Sequence, residues 1–140
     1  MISLDQARVM IEVARATGRE MGLKPLSVVV LDAGGHVLAF EREDGASPGR
    51  FEIARGKAYG AVMLGMPGSA QMARAEAQAY FMAAVNGAYG GKVVPVPGGV
   101  LVKDAAGAVI GAVGVTGDTS DNDAVAAVAG IEAAGFEAVA

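Results

Sequence analysis

Two short polar clusters carry most of the chain's chemical potential. Glu41-Arg42-Glu43-Asp44-Gly45 and Thr116-Gly117-Asp118 each follow an apolar run. Arg42 can pair with a carboxylate, and Asp44 can move a proton or cap the turn after it. Lys57 stands among Gly56, Ala58 and Gly60, small neighbours that let something approach the helix, so its amine can bind an anion or be tuned by burial. Gly98-Gly99 and Thr116-Gly117 offer bare backbone N–H groups of the kind that form an anion nest. The expected ligand-binding set is therefore Arg42, Asp44, Gly45, Lys57, Gly98, Gly99, Thr116 and Gly117. Within it Lys57, Asp44 and Arg42 are the catalytic candidates, able to orient an anion and transfer a proton. No nucleophile–base pair is visible, and no Gly-x-Gly-x-x-Gly leads from a strand into a helix.

His36 is the single histidine and could ligate haem iron or act as a base. Its place in a turn instead predicts an exposed structural residue, with Tyr59, Tyr80 and Tyr89 as the other haem or acid–base groups. Met63, Met66, Met72 and Met82 read as core or interface filler. Asp118, Asp121 and Asp123 read as capping and dipole-stabilising residues at a helix start, and no metal site is expected.

The elements that must position these residues come from a phrase used twice. Residues 32–40 read DAGGHVLAF, and residues 104–112, 72 positions later, read DAAGAVIGA. Apolar run, Asp-Ala-x-Gly and apolar run is a hairpin pattern, with Gly35 and Gly107 free to take positive φ. Two hairpins side by side would bring both polar clusters to one end of a sheet and both turns to the other. Ser3 and Gln6 form a capping box before a helix with Leu4, Ala7, Ile11, Ala14, Gly18 and Met21 on one face. Arg8, Glu12, Arg15 and Arg19 occupy the solvent face. A second helix is expected over about 50–64, capped by Ser47 with Pro48 in its first turn. A longer one is expected over about 69–85, with 86–91 as loop. Gly111 and Gly114 inside a strand imply close approach by a backbone, a helix or a ligand. Ser120 is expected to cap a last helix ending near Ala134. The pattern is α+β, in one domain over residues 1–140.

Composition narrows the partners. The chain is 53% hydrophobic and 19% charged, which argues for a packed core and a subunit interface rather than disorder. A net charge of −4 argues against nucleic acid or an anionic membrane as partner. With no cysteine, disulfides and thiolate chemistry are excluded. The opening MISLDQ is unlike a secretory leader, so a cytoplasmic location is expected.

The blocks VVVLDAGGHVLAFEREDGA, IARGKA and PGGVLVKDAAGAVIGAVGVTGDTSDND resemble the GlcG/HbpS-like family, which also supplies the C-terminal domain of PduO-type adenosyltransferases. The resemblance spans nearly the whole chain. It departs at Glu43, where an apolar side chain is usual, at Gly60 for a frequent Thr, at Ala124 for a frequent Glu, and in the missing proline after Gly98-Gly99. It implies a profilin-like three-layer α/β/α domain around an antiparallel sheet of about five strands, assembled as dimers up to octamers. It also implies a small-molecule ligand, haem in some members. Two functions follow: a small-molecule binder with haem as possible cofactor, or a cofactor-free enzyme acting on a carboxylated or carbonyl metabolite at a subunit interface.

Overall fold

A computed structural model describes residues 1–140. Helix α1 (Leu4–Glu20) starts at the expected capping box: Ser3 Oγ accepts from Gln6 N at 3.1 Å and Gln6 Oε1 from Ser3 N at 2.9 Å. Its buried face is Ala7, Met10, Ile11, Ala14 and Gly18. Leu4 and Met21, expected on that face, are exposed because they overhang its ends.

Strands β1 (Ser27–Asp32) and β2 (Val37–Arg42) form the first hairpin, and β3 (Gly99–Lys103) and β4 (Val109–Thr116) the second. The repeated phrase is a repeated turn. Asp32 Oδ1 accepts from Gly34 N and His36 N, both at 2.9 Å. Asp104 Oδ1 accepts from Ala106 N at 3.0 Å and Ala108 N at 2.9 Å. Gly35 and Gly107 take φ of 81° and 83°, the region that favours glycine.

The strands lie in the order β2-β1-β4-β3-β5, all antiparallel, with β5 (Glu137–Val139) on the β3 edge. Pairing of β1 with β4 sets Ser27 opposite Thr116, and Ser27 also faces Arg42 across β2. Both polar clusters thus share one end of the sheet and both turns the other.

Alternation of side chains makes three layers. Val28, Val30, Val113 and Val115 pack with Met10, Ile11, Ala126 and Ile131 of α1 and α5 (Ser120–Ala133). On the other face Val29, Leu31, Leu101 and Ala112 meet Ala54, Ala58 and Ala61 of α2 (Arg50–Leu64). This is the expected α+β architecture.

Several local expectations change. The single helix over about 69–85 is two, α3 (Gly68–Ala77) and α4 (Ala79–Ala88), broken at Gln78, whose φ is −141°. The break folds Phe81 back under the Arg74 guanidinium, 4.2 Å above its ring, and buries Met82. Helix α4 also claims Asn86–Ala88 from the expected loop, and Asn86 Oδ1 accepts from Val93 N at 2.9 Å. Thr119, not Ser120, caps α5 by accepting from Asn122 N. Gly49 rather than Ser47 precedes α2, and Ser47 Oγ instead accepts from Arg50 Nε at 3.1 Å. Strand β5, after the last helix, lacks any alternating pattern long enough to announce it.

Candidate functional site

The polar end of the sheet divides into an enclosed half and an open half. Lys57 belongs to the first. It leaves the sheet-facing side of α2, passes Gly98, and donates from Nζ to Val115 O at 3.0 Å and to Asp123 Oδ2 at 3.0 Å. Lys57 is 3% exposed and Asp123 1%. The pair joins α2 on one face of the sheet to α5 on the other. Burial pushes the Lys57 ammonium down, with Arg50 adding to this, while Asp123 opposes the shift. Burial likewise pushes the Asp123 carboxyl up against the pull of Lys57. Of the two readings expected of Lys57, the structure favours burial over a ligand- or substrate-facing amine: it is a buried bolt.

Gly98 and Gly99 belong to the same packing. A Cβ on Gly98 would stand 3.0 Å from Lys57 Cδ and Nζ, and one on Gly99 would overlap the Lys57 carbonyl. The bareness of Gly98 accommodates the lysine side chain and that of Gly99 the backbone of α2, reasons different from the anion nest expected of them. Thr116 is also buried, and its Oγ1 accepts from Arg50 Nη1 at 2.9 Å, while Arg50 Nε donates to Ser47 Oγ at 3.1 Å. Arg50, at the head of α2, is the guanidinium that organises this corner.

Arg42, Asp44 and Gly45 are exposed, and the side chains of Arg42 and Asp44 form no hydrogen bond or ion pair within the protein. The three catalytic candidates do not converge. Glu43, the charged departure from the family pattern, is half-buried and compensated. Its Oε1 accepts from Leu26 N at 2.6 Å, and its Oε2 lies 3.2 Å from Arg15 Nε and 3.5 Å from Arg19 Nη1. Arg15 is thereby drawn partly out of solvent, while Arg19 stays exposed on the solvent face expected of it.

Asp118 accepts from Lys24 N, Thr119 N and Asn122 Nδ2 at 2.9–3.0 Å. These bonds, that of Asn122 first, hold its carboxyl down to about 2. A carboxyl lowered on folding stabilises fully above its unfolded value near 3.8. That stability is lost as pH falls through about 2. Acid unfolding followed by circular dichroism should therefore lose slope between those limits in Asp118→Asn. An unchanged slope would assign acid sensitivity elsewhere. Asp121 is exposed, and no three His, Asp or Glu side chains gather as a metal set.

The opposite end of the sheet holds a feature that turn chemistry concealed. The largest cleft of the molecule, about 520 Å³, lies beside the β1–β2 turn, walled by Ile2, Leu38 and Ile110 and rimmed by Asp32 and His36. His36 is exposed, as its turn position predicts. Its Nδ1 lies 3.2 Å from Asp32 Oδ1 and 3.3 Å from Oδ2, and Nε2 has no partner in the protein. Hydrogen bonds from the backbone, that of His36 first, hold the Asp32 carboxyl below its ordinary value. Imidazole oriented through Nδ1 by a carboxylate presents Nε2 as a ligand. Only the chain's return of β4 beside the N-terminal segment reveals the apolar wall. Of the aromatic candidates, Tyr59 stacks edge-on with Tyr89 at 6.0 Å, and Tyr80 points to solvent. Met82 is core, and Met63, Met66 and Met72 are half-buried.

Comparison with known proteins gives a consistent lineage. The model of the family described as haem degrading protein HbpS-like matches residues 2–132. A double mutant of HbpS from Streptomyces reticuli is 30% identical, with 93% of this chain and 84% of that one covered and a TM-score of 0.81. The Klebsiella pneumoniae protein ORFY is 25% identical over 95% of this chain and 90% of its own, with a TM-score of 0.82. The PduOC–haem complex, at 22% identity, covers 99% and 98% of the two chains with a TM-score of 0.86, a likeness of fold. The search of curated proteins gives no match. The match of family model, sequence and three-layer fold assigns the chain to the HbpS-like family.

Proposed function

We propose that this chain is a small-molecule-binding protein whose ligand is haem, taken in the cleft beside the β1–β2 turn, where His36 would hold its iron. The observation that carries the reading is the Asp32–His36 pair on the rim of the largest cleft. A haem site needs a nitrogen, sulfur or oxygen donor for iron and an apolar surface for the macrocycle. His36 Nε2 supplies the first, and Ile2, Leu38 and Ile110 the second. The family description and the haem complex of a fold relative agree with this choice. Bound haem would bring an iron centre whose ligation and potential the surroundings tune. Asp32 would hold the imidazole in one orientation, and the apolar wall would keep water from the bound group. Exposed Val37 borders His36, so a second copy packing here would cover the ligand, in keeping with a homo-oligomer. The enzyme alternative loses its support because Lys57 is enclosed while Arg42 and Asp44 stand apart.

Titration with hemin should give a saturable Soret shift. His36→Ala should abolish it, and Asp32→Asn should weaken binding by about tenfold. A wild-type chain without a saturable shift, or a shift unchanged in His36→Ala, overturns the proposal.

A further inference from the structure

A second cleft, about 230 Å³, opens at the polar end of the sheet between Lys24, Gly45, Ser47, Arg50 and Gly117. It lies at the opposite end of β1 from His36, and two cations line it without a carboxylate in its wall. Asp118, next to Gly117, is already engaged by three donors, one of them the backbone N–H of Lys24, and Asp44, next to Gly45, lies outside the wall.

Arg50 is the centre of the argument. A guanidinium has five N–H donors. Ser47 Oγ and Thr116 Oγ1 take one each, which leaves three and fixes the plane of the group. A guanidinium pinned by two hydroxyls loses little entropy on meeting a ligand, and its unused edge matches the two oxygens of a carboxylate. Helix α2 begins here behind Gly49, which contributes no side-chain cap, so the positive end of its dipole adds to the field. Beneath, on the rung shared with Thr116, Ser27 Oγ is fully buried and has no partner in the protein. Side-chain alternation puts Ser27 and Thr116 on the α2 face of the sheet, the face from which Arg50 reaches in.

We propose that this cleft binds a small carboxylate, gripped by Arg50 and Lys24, at a site separate from and independent of the haem reading. The test is a titration of ¹⁵N-labelled protein with succinate, phosphate and chloride at constant ionic strength, following the amides of Gly45, Ser47 and Gly117. Succinate should give saturable shifts confined to these residues, and its affinity should fall by about tenfold in Lys24→Gln and at least as far in Arg50→Gln. Lys24 is exposed, so its variant tests the site even if Arg50→Gln perturbs folding. Hemin titration of Lys24→Gln should match the wild type, which separates this site from the other. No saturable shift with succinate, phosphate or chloride acting as well as succinate, or shifts undiminished in Lys24→Gln would each overturn the assignment.

Discussion

Lys57→Ala is expected to lower the unfolding free energy by about 3–5 kcal/mol, the largest loss of any single side chain here. The reason is what remains after truncation. Asp123, 1% exposed, would keep only the Asp118 N–H at 3.0 Å as its partner. A buried carboxylate so placed must ionise at high cost or take up a proton. Denaturant unfolding at pH 7 measures the loss, and a change below about 1 kcal/mol would refute the burial argument.

The pH dependence gives a second readout of the same substitution. Asp123 is already raised by burial with Lys57 opposing, so removing the lysine raises it further. An acid whose folded value lies above its unfolded value of 3.8 contributes most stability below 3.8 and loses it as pH rises through the folded value. The deficit of Lys57→Ala should therefore be smaller near pH 4 than at pH 7. Combining Lys57→Met with Asp123→Asn removes both charges and keeps an acceptor for Asp118 N. That double variant should lose much less than the sum of its singles, since an ion pair replaced as a unit is often close to neutral.

The contrast between the two ends of the sheet explains what sequence could and could not reveal. The Asp32 and Asp104 turns were legible because each is closed by its own residues within four positions. The meeting of the two polar clusters followed, since side-by-side hairpins leave few other arrangements. Lys57 was legible as unusual, open to anion binding or to tuning by burial, but its partner was not. Its partner Asp123 lies 66 residues away, on the far side of the sheet, and looked like one of three dipole-stabilising acids. Gly98 and Gly99 carried the needed clue, but glycine beside a lysine suits a ligand nest and a passage for the lysine equally well. His36 shows the converse. Its turn is closed locally, yet the wall of Ile2, Leu38 and Ile110 comes from three separated parts of the chain, and no local pattern joins them. Arg50 was passed over because its two hydroxyl partners, Ser47 and Thr116, become one surface only after β4 pairs with β1.

Gly114→Ala should be nearly as damaging as loss of Lys57, at about 3 kcal/mol, although it adds a single methyl group. A Cβ at this position in β4 would overlap the Ala54 carbonyl of α2 and stand 3.0 Å from Ala58 Cβ. Helix backbone cannot rotate away as a side-chain tip can, so α2 must lift from the sheet. Gly87→Ala is the matched control. Nothing lies within 4 Å of the added carbon in α4, and alanine there should stabilise by up to about 1 kcal/mol through helix propensity. Opposite signs for one chemical change, measured by denaturant unfolding, would locate the effect in the contact between α2 and β4. Equal costs at both positions would refute it. Because α2 also carries Lys57 and Arg50, lifting it stretches the Lys57–Asp123 pair and the Arg50–Thr116 bond together. Gly114→Ala combined with Lys57→Ala should therefore cost less than the two losses added, since the first already spoils the pair that the second removes.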